Sequence, residues 1–266
     1  MNRVVLSIPE KAADVWLDTI SEEEGVDDLE VTPAGLDDQN YFVRLVRKAG
    51  LNIRSVREVI PPEVGRNLER LKIEERARMI ETLRDRIVAY SEEGVCNVAL
   101  NLGMEGIEKK ENDEALSGRV AMVKKLITVA ESRNVRTLIP VRYPPPYPSS
   151  CTWEFAANLV HDVMHPACSL LVEFHPGEIE AAFDTPGFIK RCAFHLGGIR
   201  FVYEPMLGES PSIAEIKIWS QYLEKYGFRG DMTFAPKVAG DDDAVASACS
   251  RVAGYARALN EGPPEV

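Results

Sequence analysis

The sequence is short of several things. Its 266 residues include four histidines and five cysteines, and 31 Lys and Arg are outnumbered by 42 Asp and Glu, for a net charge of -11. A nucleic-acid groove needs clustered cations, so this balance argues against nucleic acid as a partner. It leaves room for a small anionic substrate, which needs only one or two local cations. No apolar run approaches the roughly 18 residues of a membrane span. The N-terminus also lacks a basic segment followed by an apolar one, so a cytoplasmic protein with no membrane partner is expected. Cys96, Cys151, Cys168, Cys192 and Cys249 are odd in number and never in C-x-x-C spacing. They read as buried thiols in a reducing compartment.

What the chain does have is eight short apolar runs separated by helix-length stretches. They are VVLSI (4–8), DLEVTP (28–33), IRSVREV (53–59), NVALNLG (97–103), TLIPVRY (137–143), SLLVEFHP (169–176), IRFVYEP (199–205) and DMTFAPKV (231–238). Between and after them lie segments of helical periodicity at about 12–21, 41–48, 71–91, 117–133, 152–164, 185–195, 211–226 and 241–259. Strands alternating with helices in this number predict a single (β/α)8 TIM barrel over residues 1–266. The 45% hydrophobic fraction suits one large core. An acidic stretch, 105–114, and the Pro144-Pro145-Pro146 and Pro148 segment read as loops at the ends of strands four and five.

Such a barrel places chemistry at the C-terminal ends of its strands. Strand side chains alternate, and the face toward the helices must be apolar. In LLVEFH, Leu170, Val172 and Phe174 therefore face the helices, and Leu171, Glu173 and His175 face inward. The same division sends Val202 and Glu204 inward on strand seven, and Thr233, Ala235 and Lys237 on strand eight. It also turns Leu138, Pro140 and Arg142 inward on strand five, Ala99 and Asn101 on strand four, and Glu30 and Thr32 on strand two. Strand three adds either Arg57 or Glu58. Glu30, Asn101, Arg142, Glu173, His175, Glu204 and Lys237 are thus the candidate site. Buried charges are costly unless paired or used, so these residues form either an ion-pair network or a ligand-binding mouth. His161, His165 and His195 fall on helices or their ends and read as structural.

Four stretches carry a resemblance to a known family. GVDDLEVTP (25–33) is similar to the second strand of the xylose isomerase-like TIM barrels, with Glu30 at its glutamate. LLVEFHPGE (170–178) resembles the strand bearing an aspartate and a nearby histidine, IRFVYEP (199–205) the strand after it, and GFRGDMTFAP (227–236) the last strand with its proline. The resemblance implies a sugar or sugar-phosphate isomerase or epimerase. In the family a divalent metal is held by two glutamates, an aspartate and a histidine at the ends of strands five to eight. Here those positions carry Pro140 or Arg142, Glu173, Tyr203 or Glu204, and Ala235, and cations at Arg142 or Lys237 would repel a metal.

Two readings follow. In the first, Glu173, His175 and Glu204 exchange protons next to a carbonyl, or hold a metal if one is present. Glu30, Asn101, Arg142 and Lys237 then bind substrate, a sugar or other small anion. In the second, catalysis has been lost and the barrel binds a small anionic ligand or a partner protein. DNA repair is a distant third on charge grounds, and a homo-oligomer stays open.

Overall fold

The computed structural model describes residues 3–8, 13–33, 41–104, 112–143, 152–175, 185–238 and 242–261. Its elements run β1 (Arg3–Ser7), α1 (Ala13–Ile20), β2 (Asp28–Val31), α2 (Tyr41–Lys48), β3 (Asn52–Val56), α3 (Pro62–Gly65), α4 (Ile73–Glu92) and β4 (Asn97–Ala99). There follow α5 (Asn112–Ser132), β5 (Arg136–Tyr143), α6 (Thr152–Val163), β6 (Cys168–Phe174), α7 (Thr185–Cys192), β7 (Leu196–Tyr203), α8 (Ile213–Lys225), β8 (Asp231–Pro236) and α9 (Asp242–Asn260). The strands close into a barrel in the order β1 to β8, with β8 parallel to β1. The (β/α)8 expectation is met.

The chain divides into two compact units, residues 1–53 with 174–266, and residues 54–173. In the first unit, register partners tie β7 to β8 (Arg200 with Thr233), β8 to β1 (Thr233 with Val5) and β1 to β2 (Ser7 with Glu30). The outward face of these strands is a run of aromatics. Phe201 stacks on Phe174 and on Phe234, with centroids 6.0 and 5.3 Å apart, and meets Trp219 of α8 edge-on at 5.8 Å. Phe234 in turn lies 4.7 Å from Tyr255 of α9. Burying one such ring stabilises the fold by about 1.5–3 kcal/mol, and the offset geometries add to that. Because these rings fill the helix-facing side, alternation sends Arg200, Val202, Thr233 and Ala235 inward.

In the second unit, β3 pairs with β4 (Ser55 with Asn97) and β4 with β5 (Ala99 with Leu138). Ala99, Leu138 and Leu171 form a buried apolar cluster, so these three share the inner face. Ser55 shares its face with Asn97, which settles the inward row of β3 in favour of Arg57. Glu58 follows with φ of 55°, a left-handed conformation that ends the strand's alternation.

Several boundaries differ from expectation, and three bear on the loops at the strand ends. β3 and β4 stop at Val56 and Ala99, short of 59 and 103, because the chain turns into close-packed loops there. The helix expected from 117 already begins at Asn112, so 112–114 do not belong to the acidic loop. Residues 105–111, the prolines at 144–148, and Cys151 lie outside the described residues. Cys168, Cys192 and Cys249 are buried free thiols, whereas Cys96 is half-buried. Burial pushes each of the three buried thiols up to about 12. Among the described residues no helix is long and apolar enough to cross a membrane.

Candidate functional site

Each unit presents polar groups on the inner face of its strands, toward their C-terminal ends. In the first unit the deeper group is an ion pair. Arg200 Nε lies 3.0 Å from Glu30 Oε1, with side chains only 9% and 1% exposed. The two atoms meet as charges rather than as an aligned hydrogen bond. Arg200 Nη2 also donates to Ser7 Oγ at 3.3 Å. The register explains the reach: Arg200 is level with Thr233 and Val5, and its side chain extends along the interior to the next layer, where Ser7 pairs with Glu30. Glu30 was expected to bind substrate. The structure places it in a buried pair with a cation that alternation alone, carried two residues back from Val202, would have found.

The second polar group of this unit sits at the strand ends. Lys237 Nζ lies 3.4 Å from Glu204 Oε1, and the side chains are 56% and 42% exposed. Both residues are fixed through their backbones. Lys237 N–H donates to Tyr203 O at 2.8 Å, and Glu204 N–H donates to the Glu209 carboxylate at 3.2 Å. After Glu204 the chain makes a single 3-10 turn, Pro205–Leu207, ended by Gly208 at φ of 74°. Leu207 N–H closes that turn onto Glu204 O at 3.0 Å. His175 stands half-buried immediately after β6. Tyr203, one of the two strand-seven positions matched to the family's histidine, points instead to the helix side, where burial drives its phenol upward. Glu204 is therefore the inward group of that strand.

In the second unit the inner face carries Asn101 beyond β4, Arg142 near the end of β5 and Glu173 near the end of β6, all half-buried. Arg57 Nη1 pairs with the neighbouring Glu58 carboxylate at 3.0 Å. The Asn101 loop is held in place by close packing. Asn101 Oδ1 accepts from Gly103 N–H at 3.1 Å, and a Cβ on Gly103 would fall 2.3 Å from the Gly65 carbonyl oxygen. With φ of 62°, Gly103 is required there twice over. Behind this loop, buried Arg119 donates through Nε to Leu102 O at 2.8 Å and pairs with Glu69.

A metal of the kind the family uses needs three or four converging His or carboxylate donors. Among the described residues no three of His, Cys, Asp and Glu gather in that way. The β5 and β8 positions are Pro140 or Arg142, and Ala235, which supply no donor. The described side chains do not make the family's donor set. His161 lies in α6, and His195 ends a 3-10 turn at Ala193–His195. His165 accepts from Ala167 N–H at 3.1 Å and faces Glu131 at 3.3 Å, a structural role on the N-terminal side of β6.

No family model matches the sequence, and a search of the curated proteins finds no match. Solved structures do match. D-psicose 3-epimerase from Clostridium cellulolyticum H10, with D-tagatose, superimposes with a TM-score of 0.72 at 15% identity over 97% of this chain and 98% of that one. A 3-keto-D-glucoside 4-epimerase from E. coli gives 0.66 at 12% identity over 97% and 99%. An AP endonuclease, family 2, from Brucella melitensis gives 0.68 at 13% identity over 96% and 99%. At these identities what is shared is the backbone architecture. The chain has the fold of the xylose isomerase-like TIM barrels.

Proposed function

We propose that the protein is an isomerase or epimerase that moves a proton on the carbon next to the carbonyl of a sugar or sugar phosphate. The observation that carries this reading is the Lys237–Glu204 pair, half-exposed at the strand ends with both backbones fixed. A carboxylate held in this way acts as a general base. The lysine beside it stabilises the negative charge that develops on the enediolate oxygen. His175, at the end of the preceding strand, is the second exchanging group. Glu173, two residues before it on the same strand face, is its expected companion. Asn101 and Arg142 remain expected substrate-binding groups.

The net charge of -11 weighs against a nuclease role, although one fold neighbour is named an AP endonuclease. A second reading, a barrel that binds a small anion without turnover, is favoured by the missing donors at Pro140 and Ala235. One experiment separates the two. The protein is incubated in D2O with a panel of ketoses, aldoses and their phosphates, and deuterium incorporation is followed by NMR. Exchange next to a carbonyl is expected in the wild type, falling 10²–10⁴-fold in Glu204→Gln and His175→Asn, the range typical for removing a general acid or base. Thermal stabilisation by a panel member with no exchange would establish the binding-only reading. Glu173→Gln, Asn101→Ala and Arg142→Met are scored in the same assay.

A further inference from the structure

The loop after β7 contains a group whose geometry goes beyond loop closure. Glu209 reaches back five residues, and its carboxylate accepts the Glu204 backbone N–H at 3.2 Å. Glu204 O is meanwhile taken by Leu207 N–H at 3.0 Å, and Gly208 N–H bonds Pro205 O at 3.1 Å. Both backbone polar groups of Glu204 are thus tied, one by a side chain and one by the turn. The tied residue keeps an extended conformation, φ -109° and ψ 100°, for one position past the strand. That extension keeps Glu204 in the inward row, where its carboxylate meets Lys237. Left to solvent, an N–H at a strand end would let the peptide rotate and the side chain swing away.

We propose that Glu209 is a positioning residue that aims the Glu204 carboxylate at Lys237 and at the substrate proton. This rests on the proton-transfer role proposed for Glu204. The part played by Glu209 is that of a hydrogen-bond acceptor, so an amide oxygen can replace the carboxylate. Glu209→Gln keeps the acceptor and Glu209→Ala removes it.

Two measurements on the full-length protein test this. In the D2O exchange assay, Glu209→Ala is expected to lower kcat by up to about 100-fold, the scale of a misplaced catalytic group, with KM little changed. Glu209→Gln is expected to restore it. Equal loss in both variants would make the role one of charge and overturn the proposal, as would unchanged kcat in Glu209→Ala. If the wild type turns over no sugar, the proton-transfer reading fails by itself and the positioning claim is decided by NMR. There the Glu204 amide is expected to exchange with solvent faster in Glu209→Ala than in Glu209→Gln, while the amides of Phe201 and Val202 stay unaffected. Equal Glu204 exchange in the two variants would overturn it.

Discussion

Within one unit, two acid–base pairs of nearly equal length do opposite things. Arg200–Glu30 at 3.0 Å is sealed in the barrel interior, and Lys237–Glu204 at 3.4 Å is half open to solvent. In the interior each charge has given up its hydration, so the partner is indispensable even though the pair adds little net stability over a well-packed apolar substitute. At the rim, water screens both charges, and the pair contributes little to folding. A charge that the fold does not depend on is one that chemistry can use. The same two residue classes, two inward positions apart along β7 from Arg200 to Glu204, are sorted into scaffold and candidate site by desolvation.

The largest expected effect breaks the interior member of the comparison. Arg200→Met leaves Glu30 as a buried charge without its cation, and a loss of about 3–5 kcal/mol of unfolding free energy is expected in urea titration. Adding Glu30→Leu to Arg200→Met removes the stranded charge and should recover most of that loss. If the single substitution costs less than about 1 kcal/mol, Glu30 is better solvated than its 1% exposure implies, and the contrast between the two pairs collapses.

A smaller effect extends the desolvation argument to the outward face of the strands. Burial raises the Cys168 thiol from its ordinary 9.0 to about 12. Between those values the unfolded chain gives up a proton that the native chain keeps. Native stability therefore falls as pH rises above 9, and this contribution is fully lost by about 12. The slope is about 1.4 kcal/mol per pH unit for one thiol. Cys168→Ala should flatten the decline of melting temperature between pH 9 and 11 relative to wild type. An unchanged slope, or rapid labelling of Cys168 by a thiol reagent at pH 8, would mean that the strand's outer face admits water.

How much of this was legible beforehand follows the same physics. The strand rows were readable because alternation and apolar helix contacts are local properties of LLVEFH, FVYE and MTFAPK, and the aromatic stack of Phe174, Phe201 and Phe234 bears that reading out. Arg200 was missed as the partner of Glu30. The signal is present, since Arg200, Val202 and Glu204 share one parity, but Arg200 lies below the C-terminal strand end where a barrel's chemistry is expected. An isolated inward glutamate on strand two demanded a cation somewhere in the interior. The parity of strand three was not readable, because both rows of IRSVREV, Ile53-Ser55-Arg57 and Arg54-Val56-Glu58, mix apolar and charged residues. Glu209 was invisible for another reason. It acts on a backbone N–H, and its meaning exists only once the turn at Pro205–Leu207 has been made.

The smallest expected effect is the sharpest test of the comparison, since it asks for near silence in one measurement and a large response in another. Lys237→Met removes a rim charge from a pair in which both side chains are about half exposed. Exposed pairs are typically worth 0–1 kcal/mol, and 1 M salt should diminish even that, because the Debye length then shrinks to about 3 Å. The expected result is an unfolding free energy within about 1 kcal/mol of wild type, with the difference shrinking in 1 M salt. Deuterium exchange on the responsive sugar should nonetheless fall at least about tenfold, as an oxyanion partner is lost. A fold as badly weakened as by Arg200→Met would show that the rim pair is scaffold too. An intact fold with intact exchange would show that Lys237 takes no part in the chemistry, leaving Glu204 and His175 to act without a neighbouring cation.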